Sequence, residues 1–512
     1  MSSSSSSRRG RRGGVRDGWV FAGLLGLLVW APLPLGSNRS WAIGLLLVFA
    51  LVLLLGALLA WRNYGSAALA RLAPYRWPLG LLGSMMALSW LQTCPLPSAL
   101  VDVLSPMAAA AQMPAAWMTL SLDVFQSRLM ATLSFVYFSV FLVALLVVRD
   151  GTRLERLALV LVGSGVLQAL LGAVLFSTQA AYRLFFVNVS HSDMVGSFVN
   201  RNHLAAYLCM CLSIGIGLML ARMGNRKTTH HNWESRLKAA IEFTLSAKMR
   251  LRLLLVVMVI ALVLTRSRMG NSAFFSAMLV VGFLGIALMR KTAPRTIALI
   301  ASLIVIDVLV VGSWVGLEKV VERIQGTELT IAAGGKQESV EARTEAARTA
   351  LALVRDYPLL GSGGGSFYNV FLGYRTPQYG YTYIDHAHND YVEFASDHGL
   401  LGLAIVGALV VLSAWTVLKA LARRKSALPR GIAFGVAMSM VALMIHSTVD
   451  FNLQIPANAL TMVLILAMGW LALELPAPEL SRRPSRRRAA AAVAGQSEAA
   501  APAQEPPATL AS

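Results

Sequence analysis

Three clusters of residues in this chain have types and spacing suited to chemistry. The first is Asp385-His386-Ala387-His388-Asn389-Asp390-Tyr391-Val392-Glu393. Asp390 and Glu393 have roughly the spacing of a capping box with Asp as the cap, so a helix is expected to start near Tyr391. His388 then sits just before a helix N-terminus, where the positive end of the dipole disfavours imidazolium. A neutral imidazole with a near-neutral pKa suits a general base. The same residues also fit a surface histidine that caps a helix, or a metal ligand shared with His386. The second cluster is Thr265-Arg266-Ser267-Arg268, a short turn between apolar runs. Its two guanidiniums could snorkel, or bind a phosphate bidentately at a membrane interface. The third is Gly196-Ser197-Phe198-Val199-Asn200-Arg201-Asn202-His203, polar and rich in donors, directly before an apolar run. A glycine cluster, Gly361-Ser362-Gly363-Gly364-Gly365-Ser366-Phe367, reads either as a flexible turn or as a backbone nest for phosphate. It is not a Walker loop, because no Gly-Lys-Ser/Thr follows. Cys94, Cys209 and Cys211 lack zinc or redox spacing, and the last two read as packed hydrophobes.

The elements that must position these residues are apolar. The 512 residues are 56% hydrophobic and only 14% charged, with a mean hydropathy of +0.62. Soluble domains are about 25% charged, which excludes a string of soluble domains. Twelve apolar runs read as membrane-spanning helices, at 19–35, 41–60, 77–93, 128–148, 154–176, 204–221, 252–265, 271–289, 296–316, 399–418, 431–447 and 457–475. The expected fold is therefore an all-α polytopic membrane protein with about twelve spans in residues 19–475. A basic tail (1–18) precedes it, with no clear cleavage site after the first run, and a Pro/Ala/Arg-rich tail (476–512) follows. Both tails read as disordered.

Charge orients the spans. With the N-terminus in the cytoplasm, 32 of the 45 Lys and Arg fall in inside segments and 13 outside, as the positive-inside rule requires. The net charge of +20 thus reads as orientation signal and anionic-lipid contact rather than a nucleic-acid footprint. Both termini are expected in the cytoplasm, and all three polar clusters fall on the outer face. One outer loop, 317–398, is long enough to need structure of its own. Its segment Glu338–Arg355 reads as an amphipathic helix with Val340, Ala347, Leu351 and Val354 along the apolar stripe. The helix is expected to stop at Asp356-Tyr357-Pro358.

Taken together, these motifs resemble the bacterial O-antigen ligase and O-antigen/exopolysaccharide polymerase superfamily. His388-Asn389, nine residues, then Gly399-Leu400-Leu401-Gly402 is similar to its His-Asn-x9-Gly-x-x-Gly pattern. Thr265-x-Ser267-Arg268, Gly196-x-Phe198-x-Asn200-x-Asn202, and Arg343 followed by Pro358-Leu359-x-Gly361 and Phe367 resemble three further family segments in the same order. The resemblance covers about 190–470. It implies a multi-pass inner-membrane glycosyltransferase of lipopolysaccharide or exopolysaccharide biosynthesis, working on the periplasmic side without a metal or other cofactor. The donor would be a glycan on undecaprenyl pyrophosphate, and the acceptor a hydroxyl of lipid A–core (ligase) or of another repeat unit (polymerase). His388 would be the base, and Arg268 and Arg343 ligands of the pyrophosphate. Arg266, Arg201, Asn200, Asn202, Arg348, His386 and Asn389 complete the candidate substrate-binding set. Arg343 and Arg348 are five residues apart, about 140° around a helix, so both cannot face one phosphate squarely; Arg348 has Glu345 as an alternative i,i+3 partner. Ala346-Ala347 departs from the aromatic residue many relatives carry there.

A different class of reading is a twelve-helix secondary transporter with 222–252 as its basic central loop. Against it, the 61–77 loop lacks a Gly-x-x-x-Asp-Arg signature, and the polar clusters sit at one face rather than midplane. Asp307 is the one clear intramembrane acid, read as a helix–helix hydrogen-bond partner or an ion-path residue.

Overall fold

The computed structural model describes residues 16–178, 193–223, 246–288, 340–375 and 384–476. The expected span 296–316 with Asp307, most of the basic segment 222–252, residues 317–339 and nearly all of both tails lie outside the described residues. The helices in chain order are α1 (Gly18–Trp30), α2 (Ser40–Trp61), α3 (Gly65–Leu72), α4 (Arg76–Leu91), α5 (Ser98–Leu104), α6 (Pro106–Ala110), α7 (Val124–Val147) and α8 (Gly151–Ser177). They continue with α9 (Arg201–Arg222), α10 (Ala247–Leu264), α11 (Arg268–Leu288), α12 (Val340–Asp356), α13 (Phe367–Phe371), α14 (Asp390–Arg423), α15 (Ala427–His446) and α16 (Pro456–Glu474). Among the described residues the only strands are β1 (Leu96–Pro97) and β2 (Trp117–Met118), an antiparallel pair. The protein is an all-α polytopic membrane protein.

Eight helical stretches among the described residues are long and apolar enough to cross a membrane, the first being the run Ser40–Leu91. That run, 52 residues, contains α2 and α4, which both pack against α7. α1 is shorter and α10 carries three basic residues, so the expected count of twelve is not established. Short turns at 148–150, 265–267 and 424–426 reverse the chain, so consecutive long helices run antiparallel. The starts of α7, α9, α11, α14 and α16 therefore gather with the end of α15 at one end of the bundle, here called the site end.

The centre of the bundle is α9, whose spanning window is almost wholly buried. It packs most closely on α15, and small residues make this possible. A Cβ on Gly217 would lie 2.2 Å from the Gly431 carbonyl oxygen, and one on Gly435 would lie 2.7 Å from that of Ser213. The backbones touch, and their site-end residues His203 and His446 are held at a fixed separation.

α12 forms where the sequence places a helix, but its buried stripe differs from the expected one. Ala346, Ala350 and Leu353 are buried, followed by Tyr357, while Leu351 is 44% exposed. The stripe faces α14 and the cluster of Phe367, Phe371 and Ala387, because protein rather than lipid covers this helix. Small Ala346 suits that close approach.

Candidate functional site

Two backbone crossings build the site. α14 is broken at Gly399, with φ 67° and ψ −179°. A Cβ there would lie 2.2 Å from the Leu359 carbonyl oxygen, and a Cβ on Gly361 (φ 73°) would lie 2.3 Å from that of Asp397. Only glycine fits either place. The Leu400 N–H donates to the Pro358 carbonyl at 2.8 Å across the crossing. The Pro-Leu-x-Gly and Gly-x-x-Gly patterns are thus two halves of one lock, which anchors the first turns of α14 beneath α12.

The glycine cluster belongs to the same lock and is neither of the two things the sequence suggested. Its N–H donors are already used: Ser362 to the Ser396 carbonyl (2.8 Å), Gly363 to the Asp397 carbonyl (3.0 Å), Gly364 to Gln92 Oε1 (3.1 Å) and Gly365 to Asp397 Oδ2 (2.7 Å). A phosphate nest needs free donors, and a flexible turn would not be buried.

The start of α14 is capped by Asn389, not by Asp390. Asn389 Oδ1 accepts the N–H groups of Tyr391 (3.0 Å) and Val392 (3.1 Å), and its amide donates to the Thr448 carbonyl at 2.9 Å. Asp390 is turned inward, accepting the Ser447 hydroxyl at 2.5 Å and the Leu453 N–H at 3.2 Å. Asx residues cap well; two in succession made the register ambiguous. These bonds tie the histidine segment to the turn between α15 and α16.

Ala387 is buried against the α12–α13 cluster, and His386 and His388 lie on either side of it. His386 stacks on Phe451 with ring centroids 3.9 Å apart, and His388 meets the same ring nearly edge-on at 5.1 Å. His203 meets it at 4.7 Å. Three imidazoles from two segments thus converge on one aromatic ring. His388 holds φ 51°, an uncommon backbone state for a residue with a side chain.

A carboxylate sets the charge environment of His386. His386 Nδ1 lies 2.6 Å from Glu393 Oε1, whose other oxygen accepts the Ala387 N–H at 2.9 Å. Burial alone would lower the pKa of His386, but the Glu393 carboxylate outweighs it and raises it to about 9. His386 is therefore an imidazolium at neutral pH.

Beside Phe451 stands Asp450, wholly buried. Arg343 Nη1 reaches Asp450 Oδ2 and the Val449 carbonyl, both at 3.2 Å. His203 Nε2 and His446 Nε2 approach the two Asp450 oxygens at 3.8 and 3.9 Å. Burial would raise the Asp450 pKa, but His203, Arg343 and His446 hold it below the ordinary carboxylate value. Arg343 is 12% exposed, aimed inward from α12.

The structure therefore brings His388, His386 and Arg343 together, with Asn389 as their structural anchor. It separates others. Arg348 is 74% exposed and lies 3.8 Å from Glu345, on a different side of α12 from Arg343. Arg201 pairs with Asp193 at 2.8 Å. Asn200 caps α9, accepting the Asn202 N–H at 2.8 Å, and Asn202 is buried. Gly196 has φ 57°, and Phe198 packs on Tyr207 at 5.4 Å, so that motif builds the entry to α9. Arg266 and Arg268 are exposed at the site end, beside α9, where Gly270 leaves only 2.6 Å between its Cβ position and Ala205. Asp450, Phe451 and His446 have no assigned role in the sequence reading, and Glu393, read there as a capping-box partner, instead holds His386 and the Ala387 N–H. The one trace is His446-x-x-x-Asp450 at the outer end of an apolar run. Among the described residues no group of three or more His, Cys, Asp or Glu could hold a metal ion.

Residues 253–407 match the family model described as O-Antigen ligase, which supports the resemblance to the O-antigen ligase superfamily. The matched stretch contains Thr265–Arg268, Arg343, both halves of the glycine lock and the histidine segment; Asp450 and the α9 entry lie outside it. No curated protein matches the chain.

Proposed function

We propose that the protein is a periplasmic-face, inner-membrane glycosyltransferase that moves a glycan from undecaprenyl pyrophosphate to an acceptor hydroxyl, as an O-antigen ligase or a polymerase. The observation that carries this is the meeting of His388, cationic His386 and inward-aimed Arg343 around Phe451 and Asp450, at the end of a membrane bundle and largely within the stretch similar to O-antigen ligases.

A sugar hydroxyl is a poor nucleophile until a base takes its proton during attack. His388 takes that proton. The acceptor oxygen then bonds to the anomeric carbon as the bond from that carbon to the pyrophosphate oxygen breaks, with inversion. Negative charge grows on the departing pyrophosphate, and Arg343 and the His386 imidazolium supply fixed positive charge in a partly dry site, with exposed Arg268 at the same end of the bundle open to the lipid-linked phosphates. Asp450 keeps the Arg343 arm in place, and Glu393 keeps His386 protonated. This chemistry needs no bound metal.

Purified protein in vesicles, supplied with the lipid-linked glycan and either lipid A–core or a second lipid-linked repeat, tests the reading. Glycan transfer to lipid A–core identifies a ligase, and chain growth a polymerase. Uptake of the glycan without transfer would instead favour the carrier.

A further inference from the structure

We propose that residues 92–123, between α4 and α7, form an interfacial platform whose exposed face is embedded in the membrane leaflet at the site end. The segment has only two charged residues, Asp102 and Asp123. It leaves one spanning helix at Leu91 and enters the next at Val124, so both of its ends are fixed at the bilayer boundary.

Its depth follows from what its inner side touches. Val101, Ala109 and Leu120 form one core cluster with Leu88 of α4, Leu360, and the flanking Ile405 of α14. Leu88 is three residues inside the end of α4, and Ile405 is six residues beyond the break at Gly399. At about 1.5 Å per residue these side chains lie about 4.5 and 9 Å along the helices. The platform is therefore clamped against the flanks of spanning helices rather than perched above them.

Its other side is uncovered and largely apolar, with Asp102 the one exposed charge within 92–123. Val103 is 77% exposed, Met113 90% and Trp117 63%, with Leu100 and Met107 also exposed. Trp90 and Leu91 on α4 and Phe125 on α7 carry this surface on to the lipid-facing sides of the two spans. Aromatic residues concentrate at that depth of a bilayer. Non-helical backbone at an interface needs internal partners, and here it has them. The Ser98 N–H donates to the Ala116 carbonyl at 3.0 Å, and Gln112 Nε2 bridges the Ala108 and Thr119 carbonyls, each at 2.8 Å.

The platform is bolted to the lock beneath the site. Gln92 Nε2 donates to the Leu360 (2.6 Å) and Asp397 (2.8 Å) carbonyls. The Leu122 N–H donates to the Ser362 carbonyl (2.9 Å), and Ser127 Oγ to that of Gly364 (2.9 Å). Embedding the platform thus sets the height of the histidine segment above the lipid. That consequence rests on the glycosyl-transfer reading; the embedding itself does not.

The test uses full-length protein with Cys94→Ser, reconstituted in phospholipid vesicles, with one spin-labelled cysteine at a time at Val103, Met113 or Trp117. Relaxation by oxygen should exceed relaxation by a water-soluble nickel chelate by several-fold at all three, with the reverse at exposed Asp385→Cys. Nickel dominance at the three sites, or dipolar broadening at Trp117→Cys from a second copy, would overturn the proposal. On the unsubstituted protein, a phospholipid with a photoactivatable group near its headgroup should label peptides within 98–118. Labelling confined to the spanning helices would overturn it equally. Neither experiment uses a glycan, so failure here is distinct from failure of the transfer reading.

Discussion

His386 shares a 2.6 Å contact with the Glu393 carboxylate, and this pair governs the pH behaviour of the site. Glu393 raises the His386 pKa to about 9, so His386 is charged below that pH and loses its charge as pH rises through it. If the imidazolium helps the leaving pyrophosphate, transfer should decline above pH 9. Glu393→Gln removes the counter-charge, and the alkaline decline should move down towards, or below, the ordinary histidine value of about 6.5. The same shift makes a stability contribution that is complete below about 6.5 and is lost as pH rises through 9; Glu393→Gln should erase that pH dependence in thermal unfolding. A pH–rate profile of the two proteins checks both, and an unmoved alkaline limb would remove His386 from the chemistry. Asp450→Asn should lower transfer about 10- to 100-fold, the worth of one charge-assisted hydrogen bond, with Arg343→Ala costing about 10²–10³. Arg348→Ala, on the exposed side of α12, should change transfer less than twofold. Arg343, His386 and His388 were legible in the sequence because they stand in patterned segments. Asp450 and Phe451 were not, because the one spacing there, His446-x-x-x-Asp450 at the end of an apolar run, is too short a pattern to mark a site. Their role exists only once α9, α12 and α15 have brought four segments to one point.

At the scale of elements, the glycine patterns prove to be backbone geometry rather than ligand chemistry. Gly399→Ala would place a Cβ 2.2 Å from the Leu359 carbonyl oxygen in a left-handed conformation, which alone costs about 1–3 kcal/mol. The expected outcome is a lower melting temperature in detergent and a loss of transfer, although residue 399 offers no side chain to a substrate. Gly407→Ala, later in α14 and with open space around it, is the control and should behave like the parent. Helix existence was legible from the runs and from the Asp-Tyr-Pro stop of α12. Helix faces were less so: α12 has alanines and leucines on two sides, and only its neighbours decide which side is buried. The cap of α14 was displaced by one residue because Asn389 and Asp390 are both competent, and the Thr448 and Ser447 partners that choose between them are about sixty residues away in sequence.

For the whole molecule, the central pair α9–α15 fixes the distance between His203 and His446, the two imidazoles that flank Asp450. Gly431→Leu would force a side chain into the Gly217 carbonyl, 2.3 Å from its Cβ position. It should lower both thermal stability and transfer from a position near the end of the bundle opposite the site. At the opposite end, arginines act as fasteners. Arg71 donates to the Leu145 and Val148 carbonyls at 2.7 and 2.6 Å, and Arg149 and Arg153 both reach buried Asp17 at 2.9 Å. They satisfy the last carbonyls of α7 and complement its dipole, so part of the +20 charge is structural, beyond the orienting role the sequence assigns it. Of the outer arginines, Arg201 and Arg348 pair with Asp193 and Glu345, and Arg343 is the one turned inward to Asp450. The most direct measurement of the central claim is glycan transfer by His388→Ala, purified from membranes with the parent's elution and melting behaviour, beside the parent in the same vesicles. The account expects transfer to fall by at least about 10²-fold while the lipid-linked donor still binds. A well-folded His388→Ala protein with full transfer activity would contradict it.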